Sequence, residues 1–484
     1  MLGFGFSIPT LAMQRRKFPF SPMSLFTEDP APDGALWRGT LGAGVFTTHD
    51  GATVATPGSA VGRVEDQSGN SRNLAQSSTS LRPTAGRRPV TGIRNGFSVS
   101  EGPITGYPVR DGVSQASVSL PGFANSTTFG DNSAIRFLYS TPNLLDGENY
   151  TISAFVEMDD GLAPVPSAST VSGDFSLNIS GITTNTGVSY VSHVSGSLYR
   201  VWGWGVAQNN NSTFSGPIKY TGQNGRGFRM SGVQIELGTT PSVYQKAVST
   251  FDVTETGIES VSQVIFDLVD DVLTSPVIAG GLSGQVFVAG EGGCYVTDLA
   301  IAAAGTFSIG GTGHNWTAAA PGILRAVTGN TGRLLDAVIR EGDFTEGEIS
   351  RLERFYRAKG GKGLLVPEAQ LLTLATMTGG TGWAYGASIW TKSSGTASLL
   401  SQAVVPGAGA YLFSVVATRS AGNLTPRFTG GSTVSATTIS ATGTHTGVLI
   451  ATTGNTMFEL SADSAFAGTV TAVSLQHLIP REEI

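Results

Sequence analysis

Beyond residue 370 the chain repeats one pattern, a short segment of alternating apolar and polar residues followed by a turn rich in Gly, Ser and Thr. The segments ASLLSQAVV, AYLFSVVAT, TPRFTG, HTGVLIATT, TMFELSA and GTVTAVSLQHL follow one another at roughly ten-residue spacing, with no helical period between them. Alternation with a period of two puts one face of each segment in a core and the other in solvent. Strands so closely spaced can only pair antiparallel, because a parallel crossover needs a longer connection. The expectation for 370–484 is therefore an antiparallel β-sandwich.

Composition extends this reading to the whole chain. The 484 residues include 65 Gly, and only 13% are charged. Hydrophobic residues make up 40%, which excludes a disordered polar chain. Little charge with much Gly, Thr, Ser and Val favours short strands and tight turns over long helices. The length exceeds what one core organises, so about three domains are expected.

Residues 1–34 carry Pro9, Pro19, Pro22, Pro30 and Pro32 with little alternation, and read as an extended arm. From Trp37 onward short strands begin. Val61–Gln76 is a strand followed by a polar turn at Ser68-Gly69-Asn70, where Gly69 can take a positive φ without steric cost. Tyr150–Met158 and Ser197–Ala207 alternate as half-buried strands. In Arg229–Gly238, Val233, Ile235 and Leu237 face one way, and Gln234 and Glu236 the other, as on a sheet with one solvated side. One helix is expected at 345–358. Thr345 and Glu348 form a capping box, Ile349, Leu352, Phe355 and Tyr356 share a face, and Gly360-Gly361 ends it. Leu365-Val366-Pro367 reads as a linker.

Several function classes are disfavoured. The net charge is −6, with no Lys/Arg cluster, which argues against nucleic acid as the main partner. No apolar run reaches the ~18 residues that span a bilayer, so no membrane insertion is expected. The start, MLGFGFSIPTLAMQRRKF, is apolar then basic, the reverse of a secretory leader. The expectation is a protein made in the cytoplasm that works after assembly into something larger. The single cysteine, Cys294, excludes an intramolecular disulfide and reads as a small buried hydrophobe. The 5 histidines are scattered, with none at ligand spacing. The pairs Asp159-Asp160 and Asp270-Asp271 are sequence neighbours, so they point to opposite faces of a strand and make poor catalytic dyads. Solvated surface acids are the plain reading, and Asp270 and Asp271 are the calcium candidates. No catalytic residue is assigned. Glycan recognition needs aromatic platforms, for which Trp202, Trp204, Trp316, Trp383, Tyr385 and Trp390 are the candidates. Trp202 and Trp204 share a strand face. The competing reading for each ring is core packing.

Some of these phrases resemble known families. Val61, Asp66, Ser68, Gly69, Asn70, Gln76 and Arg82-Pro83-Thr84 resemble the opening of concanavalin A-like (laminin G-type) jelly rolls of phage tail and virion proteins. FDLVDDVL (Phe266–Leu273) is similar to a later phrase of that family, with Leu268 where the family has Gly. Gly232, Gln234, Glu236, Gly238 and Tyr244 resemble the closing phrase of another phage-associated jelly roll. The C-terminal region, from Gly382-Trp383 to Phe466–Leu475, resembles carbohydrate-binding-module jelly rolls of tail fibres.

The resemblance implies an all-β chain of several antiparallel β-sandwich (jelly-roll) domains, with one short helix closing the first lectin-like domain. Residues 1–34 would be a virion-docking arm, and 35–95 with 251–365 a split concanavalin A-like lectin domain. Residues 96–250 would be an inserted jelly roll, and 370–484 a carbohydrate-binding-module-like jelly roll. It implies a non-enzymatic tail fibre, tail spike or head fibre on the virion surface of a phage or phage-like particle. Such a protein attaches to host surface polysaccharide, contacts other virion proteins through its arm, and usually forms a homotrimer. Two alternatives stay open: a structural decoration or baseplate protein whose jelly rolls bind virion proteins, and a depolymerase, whose usual β-helix repeats are not found here.

Overall fold

The computed structural model describes residues 20–27, 33–41, 44–97, 99–101, 109–110, 116–129, 135–140, 146–167, 173–176, 188–207, 213–220, 226–311, 315–316 and 323–481. Most of the proposed docking arm (1–19 and 28–32) lies outside them. Among the described residues the chain forms several antiparallel sheets and two α-helices, a multi-domain all-β jelly-roll architecture. No helix among them is long and apolar enough to cross a membrane.

The first module joins two distant stretches of sequence. Its larger sheet runs in the order Gln245–Ser249, Asp252–Glu255, Thr84–Pro89, Ser260–Ile265, Arg333–Glu341, Leu282–Gly290, Cys294–Ile301, and Gly34–Arg38 also pairs with Arg333–Glu341. The facing sheet runs Val45–Phe46, Arg63–Val64, Leu74–Ala75, Val272–Thr274, Ser308–Gly310, Asn315–Trp316. Each sheet thus takes strands from before residue 95 and after residue 250. Between them Trp37 stacks on Phe307 at 5.0 Å, among Phe266, Val286 and Ile309.

The residues of the opening phrase tie this module together. Asp66 accepts from the backbone N–H groups of Leu36 (3.0 Å), Ser68 (2.8 Å) and Arg72 (3.0 Å). Asn70 donates to the Gly34 carbonyl at 2.9 Å, and Gln76 reaches the Val272 carbonyl at 3.2 Å. The last bond links the early strands to the FDLVDDVL segment.

Four details differ from the sequence reading. Residues 20–27, read as part of an extended arm, fold into a 3-10 turn (Pro22–Phe26), and Leu25 and Phe26 join Leu352 and Tyr356 in one buried apolar cluster, which removes their apolar surface from water. Gln245–Ser249, placed in the insertion, pairs with Asp252–Glu255 in the first module. Leu365-Val366-Pro367, read as a linker leading into the C-terminal module, begins a strand, Leu365–Gln370, on Ala467–Pro480, and its Pro367 is tolerated on one flank of that sheet. A second helix, Ile323–Thr328, accompanies the expected one; at six residues it is too short to show a period. The expected helix is Glu346–Arg357, with the Thr345/Glu348 box formed. Cys294 is buried beside it.

The insertion is a sandwich of two sheets. One runs Tyr190–Ser195, Leu198–Val206, Asn149–Met158, Phe228–Leu237, Phe123–Phe129, Ala116–Leu120, and the other Phe175–Ser176, Thr213–Tyr220, Ile135–Ser140, Val109–Arg110. Ile152, Ala154, Val156, Val201, Val233 and Ile235 fill its core. The C-terminal module packs the sheet Trp383–Gly386, Ile389–Lys392, Ala467–Pro480, Gly409–Ala421, Gly443–Ala451 against Thr378–Gly379, Ser398–Ala403, Met457–Ala462, Leu424–Thr429, Val434–Ser435. Tyr411, Phe413, Val415 and Ala417 alternate into its core. On the opposite face Val448 and Leu478 join the first module's core beside Ile323, Leu324 and Val327. Arg481 pairs with Glu353 across the same junction.

Candidate ligand-binding site

The hairpin Tyr190–Ser195/Leu198–Val206 carries the aromatic candidates. Alternation turns Val201 into the core, fully buried, and leaves Leu198, Arg200, Trp202 and Trp204 on the outer face. Tyr190 lies directly across from Trp202 on the sheet's edge strand. Their rings stack at 4.3 Å and 20°. Trp202 donates its Nε1–H to Ser192 Oγ at 3.3 Å. Both indoles are half-buried and Tyr190 is 41% exposed. The side chains of one strand face repeat every ~6.6–6.8 Å, so Trp204, Trp202 and Arg200 form a row. Tyr190 was not among the sequence candidates, because cross-strand register is invisible in one segment.

The row ends at Arg200. Its guanidinium lies 5.2 Å from the Phe155 ring centroid, and it donates to Ser153 Oγ at 2.8 Å. Burial lowers the pKa of this guanidinium, and the nearby Glu236 opposes that shift.

Next to Arg200 the outer face departs from expectation. Gln234 and Glu236, expected in solvent, are buried. The chain turns at Gly238 and folds back over them. Glu236 accepts from Ser242 N–H at 2.9 Å and from Ser242 Oγ–H, and Gln234 Oε1 accepts from Gln245 N–H at 2.7 Å. The other residues of the closing phrase acquire roles as well. Gly232 sits at φ +63 in a bulge opposite Ser153–Phe155, and a Cβ there would come within 2.5 Å of Phe123 and 2.7 Å of Phe155. Tyr244 packs against both rings, at 5.7 and 5.5 Å.

Trp383 and Trp390 are placed differently from an open platform. Both are in the C-terminal core, with Phe466 tilted against Trp383 at 6.0 Å and the Trp390 Nε1–H donated to the Leu374 carbonyl at 2.9 Å. Tyr385, 43% exposed, lies 5.1 Å from Trp390. The Trp316 side chain lies outside the described residues.

The acidic candidates are engaged locally. Asp267 joins Asp270 and Asp271, with carboxylate oxygens within 4.8 Å of one another. Asp267 Oδ1 accepts from the N–H groups of Val269 (2.8 Å), Asp270 (3.2 Å) and Asp271 (3.2 Å), and Asp271 Oδ2 accepts from Asp267 N–H at 2.7 Å. Calcium takes six to eight oxygens, and here much of the lone-pair capacity serves a turn. Burial raises the Asp271 pKa. Asp160 is paired to Arg226 at 2.6 Å, which holds its pKa at about 2, and Asp159 lies 3.7 Å from Arg229.

No protein-family model and no curated protein matches the chain. Among solved structures it is similar to the N-terminal CBM22-1-CBM22-2 tandem domain of Xyn10C from Paenibacillus barcinonensis, at 11% identity and TM-score 0.23, over 80% of this chain and 98% of that one. It is similar to the ANXUR2 extracellular domain from Arabidopsis thaliana at 8% identity and TM-score 0.17, over 82% and 96%. It is similar to a structure of Sulfolobus Turreted Icosahedral Virus at 9% identity and TM-score 0.17, over 82% and 99%. TM-scores this low carry no argument about what the chain binds.

Proposed function

We propose that this chain is a virion surface protein of a bacteriophage or phage-like particle that attaches to host-surface glycan. The attachment surface is the outer face of the hairpin 190–206. The carrying observation is the Tyr190–Trp202 stack, with Trp204 two residues along the same face. A sugar ring has an apolar C–H face and a hydroxyl edge, so it gains by stacking on an aromatic surface while neighbouring polar groups take its hydroxyls. Ser192, exposed on the same face, is such a group. The phage setting rests on the sequence resemblance. We propose binding with no chemical step, no required metal and no nucleic-acid partner. Production in the bacterial cytoplasm and assembly as a homotrimer contacting other virion proteins rest on the same resemblance.

Purified protein is expected to adsorb to host cells or their envelope polysaccharide. Trp202→Ala and Trp204→Ala should each weaken adsorption about tenfold, the equivalent of ~1.4 kcal/mol. Both rings are half-buried, so each variant loses some stability, and the control is a single cooperative melting transition that lies above the assay temperature. Normal adsorption by both variants with failed particle assembly would favour the structural alternative. Shortened polysaccharide after incubation with wild type would overturn the non-enzymatic reading.

A further inference from the structure

We infer that the cleft where the insertion meets the first module is a separate saccharide subsite, selective for a neutral sugar bearing a methyl group, such as an acetamido or 6-deoxy sugar. This rests on the glycan-binding reading above. The cleft measures about 460 Å³, within the ~300–1,000 Å³ common for small-ligand sites.

Its floor comes from three strands of the insertion. Phe123 and Phe155 lie 5.0 Å apart, Tyr244 packs on both, and Leu198 extends the apolar surface. Its far wall is Thr254 and Thr256 of the first module. It forms at the two chain crossings of the insertion, where Ser100 N–H donates to the Ala247 carbonyl at 2.9 Å. The charged lining residues are Glu101 and Lys246, and they pair at 2.6 Å. The Tyr244 hydroxyl meets Ser100 Oγ at 2.6 Å and Glu101 Oε1 at 3.3 Å.

This arrangement sets the ligand class. The rim offers the Lys246 ammonium and the hydroxyls of Ser195, Thr254 and Thr256, which suit sugar hydroxyls, while the Glu101 carboxylate is buried and serves Lys246 and Tyr244. The Phe123, Phe155 and Leu198 floor offers no polar atom, so a hydroxyl pressed on it goes unpartnered and a methyl group gains. An acidic sugar would find the one lining cation already neutralised by Glu101. The cleft lies beyond Arg200 on the face that carries Trp202, with Leu198 in its lining.

The test is isothermal titration and saturation-transfer NMR of the full chain with N-acetylglucosamine, rhamnose, glucose and glucuronic acid. A methyl-bearing sugar is expected to bind at least tenfold tighter than glucose, with glucuronic acid no tighter than glucose. Thr256→Trp, at an exposed position, should block the mouth and abolish this binding, and Lys246→Ala should weaken it. Trp202→Ala should leave monosaccharide binding unchanged while impairing polysaccharide adsorption. The inference is overturned if neither methyl-bearing sugar binds, if glucose or glucuronic acid binds as tightly, or if Thr256→Trp binds like wild type. Adsorption that depends on Trp202 with no monosaccharide binding sinks the cleft alone. Monosaccharide binding lost in Thr256→Trp, with no adsorption to host, sinks the attachment function alone.

Discussion

Leu268 holds φ +60, a left-handed conformation that costs a non-glycine about 1–2 kcal/mol. It occupies the position where the phrase that this segment resembles carries Gly. Its side chain is 7% exposed in the first module's core, and its carbonyl accepts from Arg325 Nη2 at 2.7 Å. Two effects therefore compete in Leu268→Gly. Relief of strain returns about 1–2 kcal/mol, while removing a buried leucine costs about 2–3 kcal/mol in transfer alone and more if a cavity remains. The two differ by about 0–2 kcal/mol before any cavity, the cavity adds to the burial side, and the variant is expected to lose about 1–2 kcal/mol in equilibrium urea unfolding. A gain in stability would show that strain dominates. The same residue marks how far single positions are legible in sequence: the departure from Gly is visible, but its compensation is packing against distant strands. Trp202 and Trp204 share a face by simple alternation. Tyr190 as a partner depends on the register of its hairpin, and the burial of Trp383 and Trp390 depends on cover from residues such as Leu374 and Phe466 outside their own hairpin.

At the scale of the element, helix Glu346–Arg357 was legible because its capping box and apolar stripe are local, within one or two turns. Strand Phe228–Leu237 shows the opposite case. Its alternation holds for Val233 and Ile235, but Leu237, expected on the core side, is 58% exposed at the strand's end, and the face assigned to solvent is covered, because the residues from Gly238 to Gln245 fold back on it. The polar residues there serve as anchors. Glu236 holds Ser242 through both its backbone and its hydroxyl, and Gln234 bonds Glu236 at 2.6 Å. Removing the carboxylate leaves buried donors unpaired, at about 1–3 kcal/mol. Glu236→Ala is expected to destabilise the insertion by that amount. It should also raise the proteolysis rate of 239–244, which limited digestion with mass spectrometry would locate. Unchanged digestion would mean that the fold-back is held by the Tyr244 ring cluster alone.

Across the whole molecule, buried carboxylates paired with arginines stand at the joints between modules. Glu255 meets Arg94 at 2.8 Å where the insertion leaves the first module, and Glu353 accepts from Arg481, Arg357 and the Leu364 N–H where the C-terminal module begins. Burial opposes ionisation at both, but these hydrogen bonds and charges outweigh it, and both pKa values lie below the ordinary glutamate range. A depressed folded-state pKa stabilises the fold above the unfolded value, about 4.3. That contribution is lost as pH falls through the folded value. Asp336 and Asp271, raised by burial, contribute with the opposite sign. The acid limb of the wild-type curve therefore mixes both, and a difference measurement isolates the joint. Glu353→Gln is expected to melt below wild type at pH 7, by about 1–2 kcal/mol for charge-assisted bonds replaced by neutral ones. The gap should close as pH falls below about 4.3 and the wild-type carboxylate takes up its proton. Calorimetry of both proteins at pH 7, 4 and 2.5 provides the comparison. A gap independent of pH would mean that Glu353 acts through packing, and that its charge does not hold the C-terminal module in place.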